Sequence, residues 1–170
     1  MKILGLPGIN PTTEQWMKKL LGAIDLNQTE VVIQQYQCWS HPGSGMNLEK
    51  EANIAAKSNP DIVIAKSIGT RVLLRAYMSY LISANKFVLI GIPIRSYSRS
   101  EISELNKLCA LKSTLIIQQS DDPVGSYSTL ISTIPDTSCK MVEIQGSDHR
   151  YSDIEDLKLI IEPWYRGIDH

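Results

Sequence analysis

Short apolar runs alternate along the chain with longer stretches in which apolar residues recur every three or four positions. The runs lie at 2–6 (KILGL), 30–36 (EVVIQQY), 61–65 (DIVIA), 87–91 (FVLIG), 113–119 (STLIIQQ) and 140–145 (KMVEIQ). They are rich in Val, Ile and Leu and nearly continuous in apolar character. That predicts parallel strands covered on both faces. The helical pattern occupies 12–24, 47–57, 70–82, 99–111, 126–133 and 152–165. In the first, Trp16, Met17, Leu20, Leu21 and Ile24 share a face, and Thr12 or Thr13 is a candidate N-cap. Asn47 opens the second, with acids in its first turns. Pro163 is expected to bend or end the last.

Regular β/α alternation predicts one open parallel sheet with helices on both faces and right-handed crossovers. In such a sheet, functional groups gather beyond the carboxyl ends of the strands. The residues following each strand therefore matter most.

The third strand runs straight into Ala65-Lys66-Ser67-Ile68-Gly69, and a helical pattern starts at once. A strand that turns into a helix within one residue needs a strained corner. Its neighbours two positions away crowd each other, so small side chains are required there. This is the geometry of a nucleophile elbow, here A-x-S-x-G. It lifts the Ser67 hydroxyl off the sheet edge and leaves the Ile68 N–H free to donate to a developing oxyanion. The five residues alone also describe a serine N-cap at a tight turn. The strand before and the helix after favour the elbow.

A serine hydroxyl needs a base. The histidines are His41, His149 and His170. Asp121 and Asp122 follow the fifth strand, and His149 follows the sixth, both on the edge that carries Ser67. The order Ser…Asp…His is the one expected for an elbow-bearing sheet. The acid would hold the imidazole in its working tautomer while the imidazole shuttles the proton. A second oxyanion donor is expected after the first strand, in LPGIN, where Gly8 lets the backbone approach a substrate oxygen. Ile9 supplies the N–H, with Asn10 the near alternative.

At these residues the chain resembles the α/β-hydrolase superfamily. It is most similar to small lidless serine hydrolases related to the retinoblastoma-binding serine hydrolase and to dienelactone-hydrolase-like proteins. The matching pieces are ILGLPGIN, YQCW, VIAKSIGTRV, IIQQSDDPVGS and GSDHRYSD. The resemblance implies a three-layer α/β-hydrolase fold over 1–170 as a single domain. It implies a six-stranded parallel sheet in the order 2-1-3-4-5-6, with no cap domain and without the superfamily's first two strands. It also implies roles: Ser67 as nucleophile, His149 as base, and Ile9 and Ile68 as oxyanion donors. Asp122 is preferred to Asp121 as the acid because it falls where the family carries its Asp-Pro dipeptide. The chain departs from the family at Pro7-Gly8, where His-Gly is usual, at Ala65, and at Gln-Ser before the two aspartates.

The implied activity is that of a carboxylesterase-like serine hydrolase. It would cleave a small or exposed ester or thioester through an acyl-serine, with no metal or organic cofactor. The alternative is a catalytically weak binding module on the same fold. A nucleotide-binding domain trails both, because the chain has neither GxGxxG nor a P-loop.

Composition narrows the picture further. A net charge of −1, with 17 Lys and Arg scattered along the chain, offers no footprint for nucleic acid or an anionic membrane. No segment approaches the ~18 apolar residues that a membrane span needs. Cys38, Cys109 and Cys139 have no disulfide or zinc spacing and read as buried, reduced thiols, consistent with the cytoplasm. Other residues are expected to be ordinary. Lys66 should snorkel from its strand end, with a role near the nucleophile as the alternative. Asp148 reads as a turn or cap residue, and His170 as frayed. His41 lies outside the expected chain order. Cys38 could line the pocket, though inert packing is favoured. Trp39, Arg95 and Tyr97 are expected to pack rather than to recognise substrate.

Overall fold

A computed structural model describes residues 1–26, 29–41, 43–134 and 139–168. The strands are β1 (Lys2–Leu6), β2 (Glu30–Ile33), β3 (Ile62–Lys66), β4 (Lys86–Ile90), β5 (Ser113–Gln119) and β6 (Lys140–Ile144). They form one six-stranded sheet in the order β2-β1-β3-β4-β5-β6, and every pairing is parallel. The helices are α1 (Thr12–Ala23), α2 (Gln37–Ser40), α3 (Leu48–Ala56), α4 (Ile68–Met78), α5 (Arg99–Leu111), α6 (Tyr127–Thr133) and α7 (Ile154–Arg166).

Alternation along the strands sends side chains into two separate cores. Val63, Ala65, Phe87 and Leu89 pack with residues of α3, α4 and α5. Ile62, Ile64, Val88 and Ile90 pack with Met17 and Leu20 of α1 and with Leu157 and Ile161 of α7. This is the three-layer arrangement that a doubly covered parallel sheet requires. No helix among the described residues is long and apolar enough to cross a membrane.

Several local expectations need correction. The second strand ends at Ile33, short of the expected position 36, and Gln37–Ser40 form a short helix beyond it. Gln34 still donates its N–H to the Gly5 carbonyl of β1, while its side-chain Nε2 donates to Glu51 of α3 in a buried hydrogen bond. Neither Thr12 nor Thr13 caps α1, whose N-cap position is Pro11. Asn10 Oδ1 accepts the Thr12 N–H, and Thr13 Oγ1 donates to the carbonyl of Gly8, so both threonines brace the loop after β1. Pro163 does not end α7, which runs on to Arg166 and closes on Gly167 in the left-handed conformation. Leu159, whose carbonyl would have received the missing N–H, is exposed, so water can satisfy it. Asn47 and Ser98 cap α3 and α5 with their side chains, the latter in a capping box with Glu101. None of the three cysteines forms a disulfide; Cys109 and Cys139 are buried as expected, whereas Cys38 is only half-buried.

Candidate active site

The strands end in register along one edge. Leu6 pairs with Ala65, Lys66 with Ile90, and Gln119 with Ile144. Whatever follows them is brought together. Ser67 has φ 53° and ψ −120°, a conformation that L-residues rarely adopt. Its N–H donates to the carbonyl of Ile90, and Gly69 lies against the backbone of Leu6 and Pro7. The corner is held from both neighbouring strands.

Ser67 Oγ lies 2.9 Å from His149 Nε2, and His149 Nδ1 lies 2.8 Å from Asp122 Oδ2. A carboxylate offers only acceptors, so Nδ1 carries the imidazole proton and Nε2 accepts from the serine. Asp122 is buried, whereas Asp121 is an exposed turn residue that makes no contact with His149. Burial works against the Asp122 charge. Hydrogen bonds from His149, the Tyr151 hydroxyl and the Val124 N–H outweigh it and hold the carboxyl below the ordinary carboxylate range.

A cleft of about 520 Å³ opens over Ser67 and His149, between Gly8–Asn10, the first turns of α1 and Arg150. Ile9 and Asn10 both line it. The N–H groups of Ile9, Asn10 and Ile68 donate to no described residue. The Ile9 loop is pinned from outside: Trp39 Nε1 donates to the Ile9 carbonyl at 2.7 Å, and Tyr36 hydroxyl donates to the Pro7 carbonyl at 2.7 Å.

Other candidates lie elsewhere. Asp148 accepts from Gln119 Nε2 and from the Arg150 N–H, a turn arrangement beside the histidine. His41 bonds within its own segment and, with Cys38, lines a different hollow. Tyr97 is buried against Thr70, and Arg95 donates to the carbonyl of Pro123. His170 lies outside the described residues.

Lys66 does not snorkel. It is 4% exposed, because the sheet edge is covered there by Trp16 and by the segment carrying His149. Tyr151 was not singled out by sequence, although it lies two residues after His149. Its hydroxyl donates to Asp122 Oδ2 at 2.7 Å and accepts the Gln119 N–H at 2.9 Å. Burial, with the facing carboxylate, pushes this phenol up, so it stays protonated and donating. Tyr151→Phe is expected to strand the Gln119 N–H and weaken the Asp122 carboxylate. That should cost about 1–2 kcal/mol. A group with a depressed pKa stabilises the fold above its unfolded value, and this is lost as pH falls through the folded value. With less depression, the acid-unfolding midpoint of the variant moves to higher pH, measurable by circular dichroism across an acid titration.

No protein-family model and no curated protein matches the chain. Solved structures do match it. A predicted CIB-like hydrolase from Thermoplasma acidophilum superposes with TM-score 0.74 at 17% identity, covering 98% of this chain and 86% of that one. The fold is that of the α/β-hydrolases. An esterase domain of a Rhodothermus marinus protein matches at TM-score 0.68 and 12% identity, over 98% of this chain and 86% of that one. A thioesterase from the prodiginine biosynthetic pathway of Streptomyces coelicolor matches at 0.60 and 11%, over 96% and 85%. In this α/β-hydrolase sheet the strand order places the Ser67 elbow on β3, with β1 and β4 on either side.

Proposed function

We propose that this chain is a serine hydrolase that cleaves a small or exposed ester or thioester through an acyl-serine intermediate. The observation that carries the reading is the hydrogen-bonded line Ser67–His149–Asp122 at a strained strand-to-helix corner, open to a cleft. The esterase and thioesterase activities named for structural neighbours agree with it.

Ser67 Oγ attacks the acyl carbonyl as its proton passes to His149 Nε2. Asp122 keeps the proton on Nδ1 and stabilises the imidazolium. The carbonyl oxygen becomes an oxyanion, which the N–H groups of Ile68 and Ile9 receive. Each such donor is typically worth ~3 kcal/mol. Collapse breaks the bond to the leaving alkoxide or thiolate, which takes the proton from His149. Water then repeats the sequence on the acyl-serine and regenerates Ser67.

Labelling with a fluorophosphonate probe tests the reading, because the probe reacts only with an activated serine. The native chain should be labelled at Ser67, and Ser67→Ala and His149→Ala should not. Folded native protein that takes no label would overturn the reading and leave a binding module on a hydrolase fold.

A further inference from the structure

A buried ammonium sits directly before the candidate nucleophile. Lys66 shares the side of the sheet that carries Ile62 and Ile64, and burying a cation there is costly. Its Nζ donates to the main-chain carbonyl of His149 at 3.0 Å. It also lies 5.3 Å from the ring centroid of Trp16 and 5.4 Å from that of Tyr151.

His149 needs such a contact. Its backbone has φ 60°, in the left-handed region, and Tyr151 nearby has φ 57°. The segment belongs to no helix or strand, so secondary structure does not hold it. Two side chains do. The His149 N–H donates to Gln119 Oε1 at 2.9 Å, and its carbonyl accepts from Lys66. Lys66 is also covalently joined to Ser67, so one residue fixes the relation between the hydroxyl and the base.

We propose that Lys66 is a positioning residue whose ammonium clamps the His149 main chain and so keeps the imidazole in line with the Ser67 hydroxyl. The proposal rests on the hydrolase reading above and deepens it. The clamp is also sensitive to pH. Burial pulls the Lys66 ammonium down to about 8, against the pull of Asp122 and Asp148, which favour its charge. The β5–α6 turn presents Asp122, the histidine segment presents Asp148 and Tyr151, and α1 presents the uncharged Trp16. As the proton leaves, a charge-assisted hydrogen bond becomes a neutral one, about half as strong.

The test is the pH profile, from pH 6 to 10, of two quantities: the fluorophosphonate labelling rate and p-nitrophenyl butyrate turnover. Native protein, Lys66→Met and Lys66→Arg are compared. The native rates are expected to fall several-fold above about pH 8. Lys66→Met should be roughly tenfold slower at pH 7, in kcat rather than KM, and should lack the alkaline fall. Lys66→Arg, whose guanidinium does not titrate in this range, should keep most of the neutral rate and hold it to pH 10. A native profile without the alkaline fall, or Lys66→Met with native rates, overturns the clamp. If Lys66→Met does not fold, the native and Lys66→Arg profiles decide. Native protein labelled at Ser67 with a profile independent of residue 66 overturns the clamp alone. Native protein never labelled overturns the hydrolase reading with it.

Discussion

Ser67→Ala is expected to lower kcat for ester hydrolysis by roughly 10³–10⁶-fold, with KM little changed. The hydroxyl is the only group at the corner that can form the acyl bond, and its loss leaves the cleft intact. His149→Ala should cost about as much, because the serine is a poor nucleophile without a base 2.9 Å away to take its proton. The double variant should be scarcely worse than either single one, since a base has nothing to activate once the serine is gone. Steady-state hydrolysis of a p-nitrophenyl ester measures all three. A Ser67→Ala protein that keeps more than about a tenth of native turnover would remove Ser67 from the reaction. Effects that multiply in the double variant would mean instead that the serine and the histidine do not act as a unit.

The second large effect concerns stability. A methyl group added at Gly69 would run into the Leu6 carbonyl oxygen and lie 2.8 Å from its carbon and from the Pro7 oxygen. All three are backbone atoms, so no side chain can swing aside. Helix propensity favours alanine over glycine by about 1 kcal/mol, and the clash must outweigh that. Gly69→Ala is expected to destabilise the protein by about 2–3 kcal/mol net. At 2–4 °C per kcal/mol, Tm should fall by about 5–10 °C in thermal unfolding followed by circular dichroism. The displaced backbone leads directly into Gly8–Ile9, so the labelling rate at Ser67 should fall as well. A Tm within about 1 °C of native would mean that β1 and α4 do not touch as closely as described.

Much of this architecture was readable from local pattern. The apolar runs mark the six described strands within a few residues; β3, β4 and β5 are covered on both faces and have no polar side to interrupt them, whereas the edge strands β2 and β6 are partly exposed. Asn47, expected to open α3, caps it through a contact within one turn and is equally local; Ser98 and Ser126 cap α5 and α6 in the same way without having been singled out. The errors came where a distant residue outvoted the local preference. The β2 run stops short of Tyr36 where the Gln34 side chain is bonded to Glu51, and Thr13 spends its hydroxyl on the Gly8 carbonyl rather than on a cap. Pro163 stays inside α7, whose buried side packs Leu157, Ile161 and Trp164 across the proline position.

Within the candidate site, the sequence by itself determined which residue types stand after which strand. Ser67, Asp122 and His149 each follow a recognisable run, and small residues flank the corner. It left the choice between neighbouring aspartates to a family resemblance, because both have the same chemistry one position apart. Tertiary structure decided the rest. It buried Asp122 under Tyr151, sent Lys66 inward to the carbonyl of His149, and set Tyr36 and Trp39 behind the Ile9 loop. These contacts join residues 29, 29, 83 and 30 positions apart. Hydrophobic periodicity is a property of neighbours along the chain and places an element. A buried polar partner is fixed only when two strands end side by side, and no local pattern carries that information.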